Sequence, residues 1–309
     1  MSFHRPTLFI AALLGCAAPV LAQTANRASP ATAQLRAQLE AHARATGGVV
    51  GLRAVHLETG ETVDLRATER FFMSSVTKLP LAVAVLRRVD RGEIRLGDTV
   101  SIPVSGMSQG PSPIRDRNPN GARMTVEALV RSAVSVSDNT ANDALQRLMG
   151  GPAAVTAELA RGGIRGVRVD RPYTRLTREL SPNRLRADDP RDTMTPDGAV
   201  ALLRAIWAGP LLSPASRERL VGYMTRSENP ANRIVAGVPA GTPVAHKTGT
   251  WGGDSGIGAI NDIGIITLPN GKGHVLLAIF VRNPSGQTAR VAPHMAAMAR
   301  TVYQHWARR

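Results

Sequence analysis

The sequence predicts an α+β protein of two lobes, one a sheet drawn from both ends of the chain and the other a helical middle. Three observations predict it. A hairpin pattern lies near the N-terminal end, a mainly helical stretch runs from Ser75 to about Arg226, and strand patterns followed by a helix close the chain. Antiparallel hairpins at the two ends can share one sheet, and a cleft then opens between sheet and helices.

The first 22 residues read as a targeting segment rather than structure. His4 and Arg5 give a basic start, Leu8 to Leu21 is an apolar run, and Val20-Leu21-Ala22 ends on a small residue. Cleavage before Gln23 and export to the periplasm are expected. Leu13-Leu14-Gly15-Cys16 loosely resembles a lipoprotein box, so lipid anchoring through Cys16 is the less favoured alternative. Residues 23–309 then form one catalytic domain. Its α/β lobe spans about 23–74 and 227–309, and its helical lobe about 75–226.

Each element has its own signal. Thr32 to Thr46 places Leu35 and Leu39 at helical spacing. Gly48 to His56 and Thr62 to Leu65 flank the turn Glu58-Thr59-Gly60-Glu61 and read as a hairpin. Thr195-Pro196-Asp197 is a helix start, with a capping threonine, a proline in the first turn and an acid at the positive helix end. Val244 to Thr250, Ile260 to Leu268 and His274 to Arg282 read as strands, with Asn270-Gly271 turning between the last two. Ala289 to Ala307 is the closing helix.

Composition excludes several classes. Apolar residues are 43% of the chain and charged residues 20%, which is the range of an ordinary globular protein. Beyond the N-terminus no apolar run reaches the length of about 18 residues that spans a bilayer. Cys16 is the only cysteine, and the seven histidines show no metal-ligand spacing, so no metal and no cofactor are expected. The net charge of +15 invites a nucleic-acid reading, but the arginines are scattered and aromatics are only 4%, so no stacking platform accompanies them. The chain is expected to work as a monomer on a small molecule.

The basic residues carry a sharper signal. Of 38, only Lys78, Lys247 and Lys272 are lysine. A lysine can give up its proton and an arginine cannot, so a chain that uses arginine for plain charge marks its lysines as places for chemistry. Lys272 sits in the turn Asn270-Gly271-Lys272-Gly273 and reads as exposed.

The other two lie in motifs. Ser75-Val76-Thr77-Lys78 puts a lysine one helical turn after a serine, where a desolvated amine can take the hydroxyl proton. Ser137-Asp138-Asn139 reads either as a helix cap or as a proton relay, Ser137, beside an amide-binding group, Asn139. Lys247-Thr248-Gly249 lies on a strand. There the glycine admits close approach of a ligand to the backbone, and the lysine anchors a carboxylate.

These three motifs, in this order, resemble the class A β-lactamase family from about Ser29 to the C-terminus. The resemblance implies an α/β/α sandwich lobe with a five-stranded antiparallel sheet beside an all-helical lobe, the fold shared with penicillin-binding transpeptidases. It implies hydrolysis of penicillins and cephalosporins through an acyl-serine, and so antibiotic resistance. Arg178-Glu179-Leu180-Ser181-Pro182-Asn183 is similar to the family's Glu-x-x-x-Asn in the Ω-loop, and Glu179 lies 13 residues before Asp192, as that pattern requires. Two departures stand out. The interior reads Leu-Ser-Pro, and Thr177 falls where the family tends to place an arginine two residues before the glutamate. Arg175 or Arg178 is then expected to pair with Asp192.

By that resemblance Ser75 is the nucleophile, and the N–H groups of Ser75 and Thr250 hold the oxyanion. Lys78 or Glu179 takes the serine proton, Ser137 passes a proton to the ring nitrogen, and Glu179 with Asn183 drives hydrolysis. Asn139, Lys247, Thr248, Gly249 and Thr250 bind substrate, helped by Arg233, which lies 14 residues before Lys247. A surface acid among basic residues is the other reading of Glu179, and a surface arginine that of Arg233. A D-alanyl-D-alanine peptidase or a penicillin sensor shares the first three motifs, and Glu179 with Asn183 argues against both. Gly106-Met107-Ser108-Gln109-Gly110 matches the elbow of α/β-hydrolases, but the prolines around it predict a loop, so Ser108 is set aside.

Overall fold

Strand pairing joins the two ends of the chain. The computed structural model describes Met1 and residues 30–180, 188–253 and 256–308. Cys16, with the rest of the segment expected to target the chain, and Asn183 lie outside the described residues. Helix α1 (Pro30–Ala45) leads into β1 (Val49–His56) and β2 (Thr62–Leu65). Next come β3 (Phe71–Phe72), a 3₁₀ turn at Ser74–Thr77 and α2 (Lys78–Asp90). The middle of the chain holds β4 (Thr99–Ile102), α3 (Pro113–Arg117), β5 (Ala122–Thr125), α4 (Val126–Arg131), α5 (Asn139–Leu148) and α6 (Pro152–Arg161). It continues through β6 (Val167–Arg168), α7 (Tyr173–Glu179), β7 (Thr193–Met194), α8 (Pro196–Trp207) and α9 (Pro214–Thr225). Strands β8 (Val244–Gly253), β9 (Gly256–Thr267) and β10 (His274–Arg282) precede α10 (Thr288–Ala307).

The main sheet has five strands in the order β2-β1-β10-β9-β8, all antiparallel. Its central strand, β10, is buried from Val275 to Val281, because both faces are covered. Side chains alternate across a strand, and β10 feeds two cores in that alternation. Val275, Leu277, Ile279 and Val281 pack with Leu35 and Leu39 of α1 and with Met295 and Val302 of α10. Leu276, Ala278 and Phe280 pack with Leu79 and Leu86 of α2 and with Leu202 and Leu203 of α8. Helix α8 lies in the helical middle by sequence, yet it covers the second face of the sheet.

The local signals hold where their chemistry is complete. Asn270 and Gly271 adopt φ of 57° and 69°, the left-handed pair that turns one strand back along its neighbour. Thr195 caps α8, its hydroxyl accepting from the Gly198 N–H at 2.9 Å. The short strands β3 to β7 were not anticipated, since two to four residues are too few to show a period. No described helix is long and apolar enough to cross a membrane.

Candidate active site

Ser75 sits in the 3₁₀ turn that opens α2. In such a turn residues i and i+3 eclipse, so the Lys78 Nζ reaches the Ser75 Oγ at 2.9 Å and the Asn139 Oδ1 at 2.7 Å. Ser74, just before, is held at φ +48°, a conformation that costs a non-glycine residue roughly 1–3 kcal/mol. Two contacts hold the turn there. The Ser74 hydroxyl donates to the Thr250 carbonyl at 2.6 Å, and the Asn261 amide donates to the carbonyls of Phe72 and Met73 at 2.9 and 3.0 Å. Lys78 is wholly buried. Burial pushes its ammonium down to about 7, against the attraction of Asp143 and Asp138. Much of it is therefore amine at neutral pH, beside a serine that is only half-buried.

In Ser-Asp-Asn the helix-cap reading is met by the middle residue alone. Asp138 caps α5 by accepting from the Ala141 N–H at 2.9 Å and also takes the Ile114 N–H at 2.8 Å. A π-helical turn, Ser132–Val136, delivers Ser137 at φ +64°. Ser137 and Asn139 thereby line the cleft while the carboxylate between them is spent on structure.

Strand β8 forms the opposite wall. The Lys247 Nζ donates to the Ser137 Oγ at 3.0 Å, to the Asn229 Oδ1 at 2.7 Å and to the Thr248 carbonyl at 2.9 Å. Burial, with the neighbouring charges of Lys78 and Arg233, holds Lys247 well below the ordinary lysine range despite Asp262. Gly249 serves a purpose other than the one its motif suggested. A Cβ there would lie 2.5 Å from the Met73 carbonyl and 3.1 Å from the Ser75 nitrogen, so the glycine lets β8 close on the nucleophile turn itself. Arg233 is buried behind the strand, not on the surface. Its guanidinium donates to the Gly249 and Asn261 carbonyls at 3.1 and 2.6 Å and to the Thr250 hydroxyl, and burial pushes it down to about 10.

These elements enclose a cleft of about 610 Å3, lined among others by Ser75, Ser137, Asn139, Tyr173, Asn229 and Thr250. The wall from α7 consists of Tyr173 and Thr177, with Leu180 just beyond the helix. Glu179 is not part of it. Its carboxylate faces outward to Arg175, to Arg171 at 3.4 Å and to Arg191 at 3.7 Å. Arg175, then Arg171, holds it below the ordinary glutamate range. The expectation that Glu179 faces Ser75 is not met. On α7 it lies six residues after Tyr173, about 240° around the helix, so one faces inward and the other outward.

The loop tie also differs from expectation. Asp192 pairs with neither Arg175 nor Arg178 but with Arg171, Nε to Oδ2 at 2.6 Å, both residues buried. The resemblance places the glutamate two residues after this arginine, and here that place holds Tyr173. The spacing from Glu179 to Asp192 was therefore the wrong guide to register. Tyr173 is buried, and its hydroxyl lies 3.3 Å from the Ser75 Oγ. The Lys78 Nζ stands 4.1 Å over its ring. Asp143 fixes it by accepting the N–H groups of Tyr173 and Thr174 at 2.7 and 2.8 Å. Scarcity could have flagged it, since the chain has only three tyrosines. Asn229, also missed, stands in an unremarkable Asn-Pro pair. Ser108 is buried in a loop, where its hydroxyl accepts the Gly110 N–H at 3.3 Å.

A serine beside a buried amine, faced by a second serine on a second buried lysine, defines a serine acyl-transfer enzyme. The chain belongs to the β-lactamase enzyme family, whose model matches residues 34–306, and within it to class A. It is 32% identical to the extended-spectrum β-lactamase PER-1 of Pseudomonas aeruginosa, over 87% of this chain and 86% of that one. It is 31% identical to β-lactamase Toho-1 of Escherichia coli, over 97% of each. Among solved structures, a β-lactamase from Chitinophaga pinensis superposes with a TM-score of 0.81 at 30% identity, covering 88% of this chain and 98% of that one. An ancestral class A β-lactamase gives 0.79 at 36% identity, covering 87% and 98%.

Proposed function

We propose that this chain opens the β-lactam ring at Ser75 and releases the product as the free acid, the activity that confers antibiotic resistance. The observation that carries the reading is the convergence of Ser75, Lys78, Ser137 and Lys247 on one cleft, with each serine on its own buried lysine. Lys78 takes the Ser75 proton as the Oγ attacks the lactam carbonyl. The oxyanion rests between the N–H groups of Ser75 and Thr250. Ser137 delivers a proton to the departing ring nitrogen, relayed from Lys247. Asn139 binds the substrate amide, and Lys247, Thr248 and Thr250 bind its carboxylate. Gly249 allows the strand its close approach. Arg233 acts from behind, through Thr250.

Glu179 is not given the base's role, because its carboxylate is engaged with arginines outside the cleft. Asn183 loses the ground for its own role, which came from its spacing to Glu179. The basic start and apolar run of residues 1–22 support export to the periplasm, with a lipid anchor at Cys16 the less favoured route. One chain completes the cleft, which supports a monomer acting on small-molecule β-lactams without a cofactor.

A chromogenic cephalosporin tests the reading. Wild-type enzyme should open many molecules per active site, and Ser75→Ala none. A single stoichiometric burst from the wild type would instead favour a penicillin sensor or a D-alanyl-D-alanine peptidase.

A further inference from the structure

We propose that Tyr173 and Lys78 carry the hydrolytic half of the reaction: the Tyr173 hydroxyl holds the water that attacks the Ser75 ester, and the Lys78 amine takes its proton. The inference rests on the acyl-serine reading above. It concerns only how the acyl group leaves.

Geometry carries it. The Tyr173 hydroxyl and the Lys78 Nζ converge on one atom, the Ser75 Oγ, at 3.3 and 2.9 Å. The stretch that enters Tyr173 is fixed from two sides. Asp192 accepts the Asp170 and Arg171 N–H groups at 2.8 and 2.9 Å, and Asp143 accepts those of Tyr173 and Thr174. A hydroxyl held this firmly beside the ester is a preorganised water contact. No carboxylate competes for the part among the described residues. Asp138 and Asp143 stand near Lys78 but do not line the cleft: Asp138 accepts the Ile114 and Ala141 N–H groups and the Ser112 hydroxyl, Asp143 accepts the Tyr173 and Thr174 N–H groups and the Asn142 amide, and Glu179 points at arginines.

Acylation leaves Lys78 with the Ser75 proton and Lys247 short of the one it relayed, so Lys78 first gives a proton to solvent and Lys247 takes one back; the chemistry then balances without any other reactant. The water oxygen bonds to the acyl carbon as its proton passes to the Lys78 amine. The bond from carbon to Ser75 Oγ then breaks, and the Lys78 ammonium returns the proton to that oxygen. Tyr173 keeps its own proton throughout, since burial pushes its phenol above the ordinary range.

The pH dependence follows from the groups around Lys78, namely Asp138, Asp143, Lys247 and the Tyr173 ring. The base must be unprotonated, and Lys78 is held at about 7. Deacylation should therefore rise with pH through about 7. A carboxylate base would already have levelled off above about pH 5.

The test measures acylation and deacylation separately with a penicillin, using intact-protein mass spectrometry and stopped-flow. In Tyr173→Phe the deacylation rate should fall about 10²-fold, the usual loss for a preorganised hydrogen-bond contact at the reacting atoms, and the acyl-enzyme should accumulate. Its acylation rate and thermal midpoint should stay near wild type. Glu179→Gln should keep both rates within about fivefold, the scale of an exposed ion pair. If Tyr173→Phe does not fold, the wild-type pH profile decides alone. Accumulated adduct in Glu179→Gln, normal release by Tyr173→Phe, or a wild-type profile flat from pH 5 to 9 would each overturn the proposal. Absence of any adduct, even in the wild type, would instead sink the acyl-serine reading.

Discussion

Three lysines in a chain of 38 basic residues divide cleanly by surroundings. Lys78 and Lys247 are wholly buried at the two serines. Lys272, expected to be merely exposed, donates to the Ala307 carbonyl at 2.7 Å and so completes the C-terminal end of α10. A guanidinium can serve that carbonyl equally well, but it cannot release a proton. Lys78→Arg is therefore expected to lose about 10²–10⁴-fold in kcat/KM, while Lys272→Arg stays near wild type in both kcat/KM and thermal midpoint. Equal, mild losses in the two variants would contradict the division. Scarcity made the lysines legible. The same abundance of arginine hid the partner of Asp192, because Arg171, Arg175, Arg178 and Arg191 all lie within reach in sequence. Arg175 lies on α7 beside Glu179, on the face turned away from the cleft, whereas Arg171 lies before the helix and is buried against Asp192.

Which elements form was largely written in local patterns. The alternation of β10, the Asn-Gly turn and the capped start of α8 all appear where side-chain period and turn chemistry place them. What patterns did not give is which face an element turns to its neighbour. For α7 that choice decides whether a glutamate or a tyrosine meets the nucleophile. For β8 it decides what Gly249 is for. Since a Cβ at Gly249 would press on the Met73 carbonyl, which is backbone and has little room to yield, Gly249→Ala should displace the Ser75 turn. The expected cost is about 1–3 kcal/mol by chemical denaturation, together with a slowed acylation by penicillin. Gly97→Ala, where nothing lies within 4 Å, should leave both unchanged. Equal behaviour of the two would mean that the glycine is there for the ligand alone.

Across the molecule the active site is a seam between distant parts of the chain. The turn before α2 supplies Ser75, the first residue of α2 is Lys78, the start of α5 supplies Asn139, and β8, near the other end, supplies Lys247 and Thr250. The sheet holds them together, because β10 feeds one core on each face and α8 bridges the helical middle to the strands. The positive charge is partly consumed in such structure. Glu158, fully buried, binds Arg87 and Arg91 at 2.8 Å each and ties α2 to α6. The most direct test of the central claim is to locate the covalent bond. A penicillin reaction stopped by acid during turnover, then digested and mapped by mass spectrometry, should show one penicilloyl group on the peptide that carries Ser75. The adduct should vanish in Ser75→Ala and persist in Ser108→Ala. An adduct on the Ser108 peptide, or continued turnover with no ester at Ser75 in any quenched sample, would contradict it.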